Sequence, residues 1–171
     1  KISKLEFPSR YGGNIRVFID RNKNPENFDK KKISKIEDYE NSFNEMFVEM
    51  EKKINNWKKD KITFIDSLLE KHKRIAAKAF PGRAAILMRL LDLDIHKVLG
   101  VYEKPGSKKI GHYVPGTRIP ILSDNDLFKN QNKEIPLMNL AWHIPEEVRE
   151  YLKENNYHGE IFEIIETDDW K

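Results

Sequence analysis

The groups able to do chemistry concentrate between residues 74 and 121. The apolar run Ile75-Ala76-Ala77-Lys78-Ala79-Phe80 stops at Pro81-Gly82-Arg83, and a run of helix formers, residues 84–91, follows. A turn opening into a helix presents unpaired N–H groups to an anion, and the planar fork of Arg83 suits phosphate or carboxylate. With a single glycine, Gly82, this is not a dinucleotide fingerprint, and a plain strand-to-helix turn is the competing reading. A second apolar run ends at Glu103, where nucleotide-binding folds place an acid that accepts ribose hydroxyls, and a solvated loop acid is the equal alternative. The segment Lys109-Ile110-Gly111-His112-Tyr113-Val114-Pro115-Gly116-Thr117 then combines a cation, two glycines, a proline and a hydroxyl. It reads as a ligand loop through Lys109, Tyr113, Gly116 and Thr117, or as a β-turn feeding a strand over 119–122. Trp142-His143 ends a third run and is placed to stack on a ring, although Trp142 reads equally well as core.

The elements that must position these residues follow from periodicity. Residues 15–19 alternate after Gly12-Gly13 and read as a short strand, and residues 21–32, with Asn, Pro25 and Lys, read as a loop. From Ile36 a helical period takes over, with Phe43, Met46, Phe47, Met50, Ile54, Trp57, Ile65, Leu68 and Leu69 at three- and four-residue steps. This predicts one long helix to Lys73, or two with a break near Lys59-Asp60, and the apolar stripe reads as core. Further apolar runs at 97–102, 136–142 and 160–165 read as strands, and Pro145-Glu146-Glu147 as a helix start. Strands alternating with helices predict an α/β fold: a small, Rossmann-like, mostly parallel sheet flanked by helices. A short strand and a long helical arm precede it, so the expected division is 1–73 and 74–171. In such sheets ligands bind beyond the carboxyl ends of the strands, which are the ends carrying Arg83, Glu103 and Trp142.

Composition narrows the partners. The 171 residues suffice for one sizeable core, and 31 basic against 28 acidic residues leave a net charge of only +3. That balance argues against nucleic acid, and the basic stretch 21–35 reads as a solvated loop. With no cysteine, disulfides, thiolate zinc sites and thiol nucleophiles are excluded, and a reducing, cytoplasmic setting is expected. The five histidines lack metal-ligand spacing, and no apolar run is long enough for a membrane span, so neither a metal nor a membrane is expected.

Several of these segments, taken in order, resemble one family: the C-terminal domain of the S-adenosylmethionine-dependent sugar C-methyltransferases, which act on nucleotide-linked deoxysugars. The matching segments are Tyr11-Gly12-Gly13-Asn14-Ile15-Arg16-Val17-Phe18, Ala77-Lys78-Ala79-Phe80-Pro81-Gly82-Arg83, Glu103 with Lys109 to Thr117, Ile119-Pro120-Ile121, and Leu140-Ala141-Trp142-His143. The resemblance implies an acceptor-binding domain. Pro81, Gly82, Arg83, Glu103, Lys109, Tyr113, Gly116, Thr117, Trp142 and His143 would hold a nucleotide-sugar or other phosphorylated small molecule, a surface-polysaccharide precursor. It also implies that S-adenosylmethionine is bound by an N-terminal donor domain lying before Lys1, which fits the missing initiator Met. Where the family has the histidine associated with deprotonating the acceptor carbon, this chain has Tyr11, preceded by Arg10. A phenol with pKa near 10 needs a neighbouring cation to act as a base, which shifts the expectation from C- towards O-methylation. Two other readings stand beside this one: a non-catalytic nucleotide or sugar-phosphate binding module, and an interaction module pairing through the helix over 36–73.

Overall fold

A computed structural model describes residues 2–8, 14–21 and 30–170. Two compact units emerge, residues 1–51 and 52–171. The first holds an antiparallel hairpin of β1 (Ile2–Glu6) and β2 (Arg16–Ile19), the helix α1 (Lys30–Asn41) and the start of α2 (Phe43–His72). Strand β1 has no counterpart among the sequence expectations, and α1 begins inside the stretch read as a loop.

The helix break also falls elsewhere than expected. It lies at Ser42, whose N–H and hydroxyl both turn back onto the Tyr39 carbonyl, at 3.1 and 2.7 Å. A side chain that competes for backbone acceptors ends a helix more readily than the charged pair Lys59-Asp60, which α2 passes without interruption. The apolar stripe is core only in part. Trp57, Ile65 and Leu68 are buried, whereas Phe47 and Met50 are 56% and 48% exposed. Periodicity identifies an apolar face but not what covers it.

The second unit is an α/β layer. Five parallel strands lie in the order β5-β4-β3-β6-β7: β3 (Ile75–Lys78), β4 (Val98–Glu103), β5 (Ile121–Ser123), β6 (Leu137–Asn139) and β7 (Ile161–Glu163). The strands read as near-continuous apolar runs because both faces of the sheet are covered. On one face, Ile75, Ala77, Val101 and Met138 pack with Trp57, Ile65 and Leu68 of α2 and with Ala84 and Met88 of α3 (Ala84–Leu90). On the other, Ala76, Tyr102 and Leu137 meet Leu127 of α4 (Asp124–Leu127) and Val148 and Leu152 of α5 (Pro145–Glu154). The Trp57 indole N–H and the Lys61 ammonium donate to the carbonyls of Ile164 and Glu163, tying α2 to the end of β7.

In sheet order the chain runs outward from β3 through β4 to β5, then returns to the far side of β3 for β6 and β7. The direction of winding therefore reverses between β3 and β6. Such a switch point leaves a crevice beyond the strand ends, because the two following connections diverge to opposite faces of the sheet. The connections bordering it here are the turn after β3, residues 79–83, and the turn after β6, residues 140–144.

Candidate functional site

Each lip of this crevice is fixed by hydrogen bonds to the turn backbone. On the β3 side, Ala79 takes a left-handed conformation, φ 61°, and its N–H donates to the Tyr102 carbonyl at 2.9 Å. The next N–H, of Phe80, donates to Glu103 Oε1 at 2.7 Å. Lys109 Nζ closes the clamp, donating to the Phe80 carbonyl at 2.6 Å and to the same Glu103 oxygen at 3.0 Å. A β-carbon in the left-handed region is strained by about 1 kcal/mol or more, and only surroundings that over-determine the turn hold it there. Replacing Ala79 by glycine should accordingly raise unfolding stability by about 0.5–1 kcal/mol. Urea denaturation measures this as a higher midpoint at unchanged slope; a lower midpoint contradicts the strain.

The clamp determines what Glu103 and Lys109 are available to do. Glu103 keeps one carboxylate oxygen, Oε2, without a hydrogen bond among the described residues, while Oε1 and the Lys109 ammonium are engaged with the turn. Arg83 is different. It sits at the entry of α3, its Cζ is 5.9 Å from the centre of the Trp142 ring, and among the described residues its guanidinium donates no hydrogen bond and forms no ion pair. At this distance a cation is drawn to the face of an indole, and the donors at the edge of the fork remain available. Pro81 and Gly82 lead into Arg83, and a β-carbon at Gly82 would meet nothing within 4 Å, so the approach over the turn is open. The turn offers fewer backbone donors than its sequence implies, since Ala84 and Ala85 N–H already bond to the Pro81 and Gly82 carbonyls.

The structure thus brings Pro81, Gly82, Arg83, Glu103, Lys109 and Trp142 to one end of the sheet, with His143 exposed beside Trp142 at a ring separation of 6.0 Å. It does not bring the rest of the glycine loop there. The Thr117 N–H bonds to the Val114 carbonyl at 3.0 Å with Gly116 at φ 75°, a turn in which Pro115-Gly116 take the central positions. The Thr117 hydroxyl bonds within the same turn, to the Val114 carbonyl and the Ile119 N–H. Gly116 lies against Arg89, six residues and about 9 Å along α3 from Arg83. Tyr113 is exposed, in a bridge with Pro120. Arg10 and Tyr11 lie outside the described residues.

Sequence reasoning missed a row of polar side chains across the sheet. Tyr102, Lys78, Asn139 and Glu163 occupy neighbouring register positions at the carboxyl end, facing α5. Lys78 Nζ donates to both Asp124 oxygens, at 2.9 and 2.8 Å, and to the Tyr102 carbonyl at 3.3 Å. The Tyr151 hydroxyl donates to Asp124 Oδ2 at 2.9 Å, and burial with that carboxylate pushes its pKa up to about 12, so it stays a donor at neutral pH. Burial lowers the Lys78 pKa, partly countered by Asp124. Further along the row, Asn139 Nδ2 donates to Glu163 Oε2 at 2.7 Å, and Arg149 Nη2 donates to Glu163 Oε1 at 2.8 Å. Burial raises the Glu163 pKa against the lowering pull of Arg149 and Asn139. The one signal in the sequence was a polar residue inside each apolar run, Lys78 and Asn139, with nothing local to pair it.

As a methyl-donor site the crevice fits poorly. S-adenosylmethionine carries a cationic sulfonium and no phosphate, whereas Arg83, the cation at the crevice with no ion pair among the described residues, favours an anion. Among the described residues no helix is long and apolar enough to cross a membrane, and no group of three or more His, Asp or Glu is placed to hold a metal ion. No curated protein matches the chain. The family model described as the C-methyltransferase C-terminal domain matches residues 9–165, which takes in both lips of the crevice and the whole parallel sheet. By that match the chain belongs to the C-methyltransferase C-terminal domain family.

Proposed function

We propose that the chain is the acceptor-binding domain of an S-adenosylmethionine-dependent methyltransferase acting on a nucleotide-linked sugar or a related phosphorylated precursor of surface polysaccharide. The observation that carries this reading is Arg83: a guanidinium with no hydrogen bond or ion pair among the described residues, set over the Trp142 ring at the crevice where the strand order reverses. A guanidinium drawn to the face of an aromatic ring keeps the paired N–H donors of its fork available to a diphosphate. Glu103 Oε2 would accept a sugar hydroxyl a short distance along the same edge, and Lys109 would keep the turn beneath the ligand in place. The methyl donor is carried by a separate domain, where it would supply an electrophilic methyl on sulfonium; Tyr11, with Arg10, is assigned to the seam at which transfer takes place.

Calorimetry on the 171-residue chain tests this directly. UDP-glucose, as a nucleotide-sugar probe, is expected to bind, and S-adenosylmethionine is not. An enzyme joining this domain to a donor domain is expected to transfer a methyl group from S-adenosylmethionine to a nucleotide-sugar acceptor. Binding of S-adenosylmethionine to the isolated chain, or no response to any nucleotide sugar, sinks the reading.

A further inference from the structure

We infer that Asn139 is a positioning residue for the Trp142 lip of the crevice, held in turn by Glu163 and Arg149. The inference rests on the reading of the crevice as an acceptor site. Asn139 is fully buried at the last position of β6 and uses both ends of its amide. Its Oδ1 accepts the Ala141 N–H at 2.9 Å, on the residue before Trp142, and its Nδ2 donates to Glu163 Oε2. Only an amide serves both contacts: the turn requires an acceptor and the neighbouring carboxylate requires a donor. Glu163 is anchored on its other oxygen by Arg149 of α5, which also donates to the Ile161 carbonyl at 3.4 Å. A chain of side chains thus runs from α5 through β7 and β6 to the turn backbone at Ala141, next to Trp142. Neither Asn139 nor Glu163 is open to a ligand, since Glu163 is 8% exposed and Asn139 not at all, so their effect on binding passes through Trp142.

The discriminating variant is Asn139→Asp. It keeps the shape and the acceptor for Ala141 but turns the donor into a second carboxylate facing Glu163. The charged groups around that pair are Arg149 on α5, Lys78 beside Asn139 on β3 with its partner Asp124, the Lys61 ammonium of α2 on the Glu163 carbonyl, and Glu166 and Asp169, which Lys61 also meets. At pH 8 the two carboxylates repel and the turn must shift. On acidification the pair retains one proton and the contact re-forms.

Two readouts on the 171-residue chain decide the matter. The indole N–H resonance of Trp142, assigned by its loss in Trp142→Phe, reports the stack without any ligand; Arg83→Ala supplies the position of the unstacked ring. In Asn139→Asp at pH 8 the resonance is expected to move towards that position while the Trp57 resonance stays, and to return by pH 5. UDP-glucose affinity should fall at least fivefold at pH 8 relative to the unaltered chain, and the ratio should close on acidification. A Trp142 resonance that stays at its original place in folded Asn139→Asp overturns the proposal, even if the variant is less stable. If Asn139→Asp does not fold, Arg149→Met, at a side chain 41% exposed, removes the far end of the relay, and the same Trp142 shift in smaller degree is expected. No shift there overturns the proposal too. If UDP-glucose fails to bind the unaltered chain, the acceptor reading falls, while the Trp142 resonance still decides the role of Asn139.

Discussion

Replacing Arg83 by alanine is expected to weaken UDP-glucose binding by about ten- to a hundredfold, the worth of about 1.5–3 kcal/mol for hydrogen bonds to a charged group. The expectation follows from what each cation near the crevice already does. Lys78 is held by Asp124, and Lys109 is held by Glu103 and the Phe80 carbonyl, so moving either onto a ligand would break contacts that keep the turn in place. Arg83 alone among these three makes no hydrogen bond and no ion pair among the described residues. Arg83→Lys should recover only part of the loss, because an ammonium does not offer the paired, planar donors of a guanidinium. The binding should also weaken with added salt, since Arg83 is exposed and within reach of screening ions. Calorimetry at two ionic strengths on the unaltered chain, Arg83→Ala and Arg83→Lys measures all of this. Equal affinity in all three variants would remove Arg83 from the site, and with it the main support for a phosphorylated ligand.

The same comparison shows what a linear sequence can and cannot convey about this site. The parallel sheet was readable because strands covered on both faces appear as apolar runs, and each run from Ile75 to Phe162 contains a strand. The residue types at the strand ends were readable too, since Arg83, Glu103 and Trp142 interrupt those runs at turn positions. Their partners were not. Glu103 binds a backbone N–H 23 residues away, Lys109 a carbonyl 29 residues away, and nothing in either segment names Phe80 as the target. The reading of Lys109 to Thr117 as one ligand loop failed to separate its two halves for a similar reason. Pro115-Gly116 is required by the turn itself, while only the long Lys109 side chain reaches the crevice. The helical stripe illustrates the complementary gap: Phe47 and Trp57 carry the same apolar signal, yet Trp57 is buried and Phe47 is exposed.

The largest effect on stability is expected at Asp124. Lys78 and Asp124 are 4% and 1% exposed at their side chains, and the pair is saturated, with the Tyr102 carbonyl and the Tyr151 hydroxyl completing its contacts. Asp124→Ala removes the only carboxylate on a buried ammonium and also strands the Tyr151 hydroxyl. Leaving one partner of a buried pair uncompensated costs about 3–5 kcal/mol, a large fraction of the stability of a domain this size. Replacing both partners, as in Lys78→Met with Asp124→Leu, should cost far less, because the desolvation penalty of both charges disappears with their attraction. The dependence on pH distinguishes this from simple loss of packing. Burial already lowers the folded-state pKa of Lys78, so the unfolded chain binds that proton more tightly and stability from this group rises as pH increases towards the ordinary lysine range. Without Asp124 the lowering deepens, and Asp124→Ala should regain stability as pH is raised from neutral towards 10, more steeply than the unaltered chain. In the double variant the group is gone, and so is the slope. Urea midpoints at a series of pH values for the three proteins measure the effect. A single variant that loses stability without steepening would mean that Lys78 has swung out to water, and that the polar row is held by packing rather than by charge.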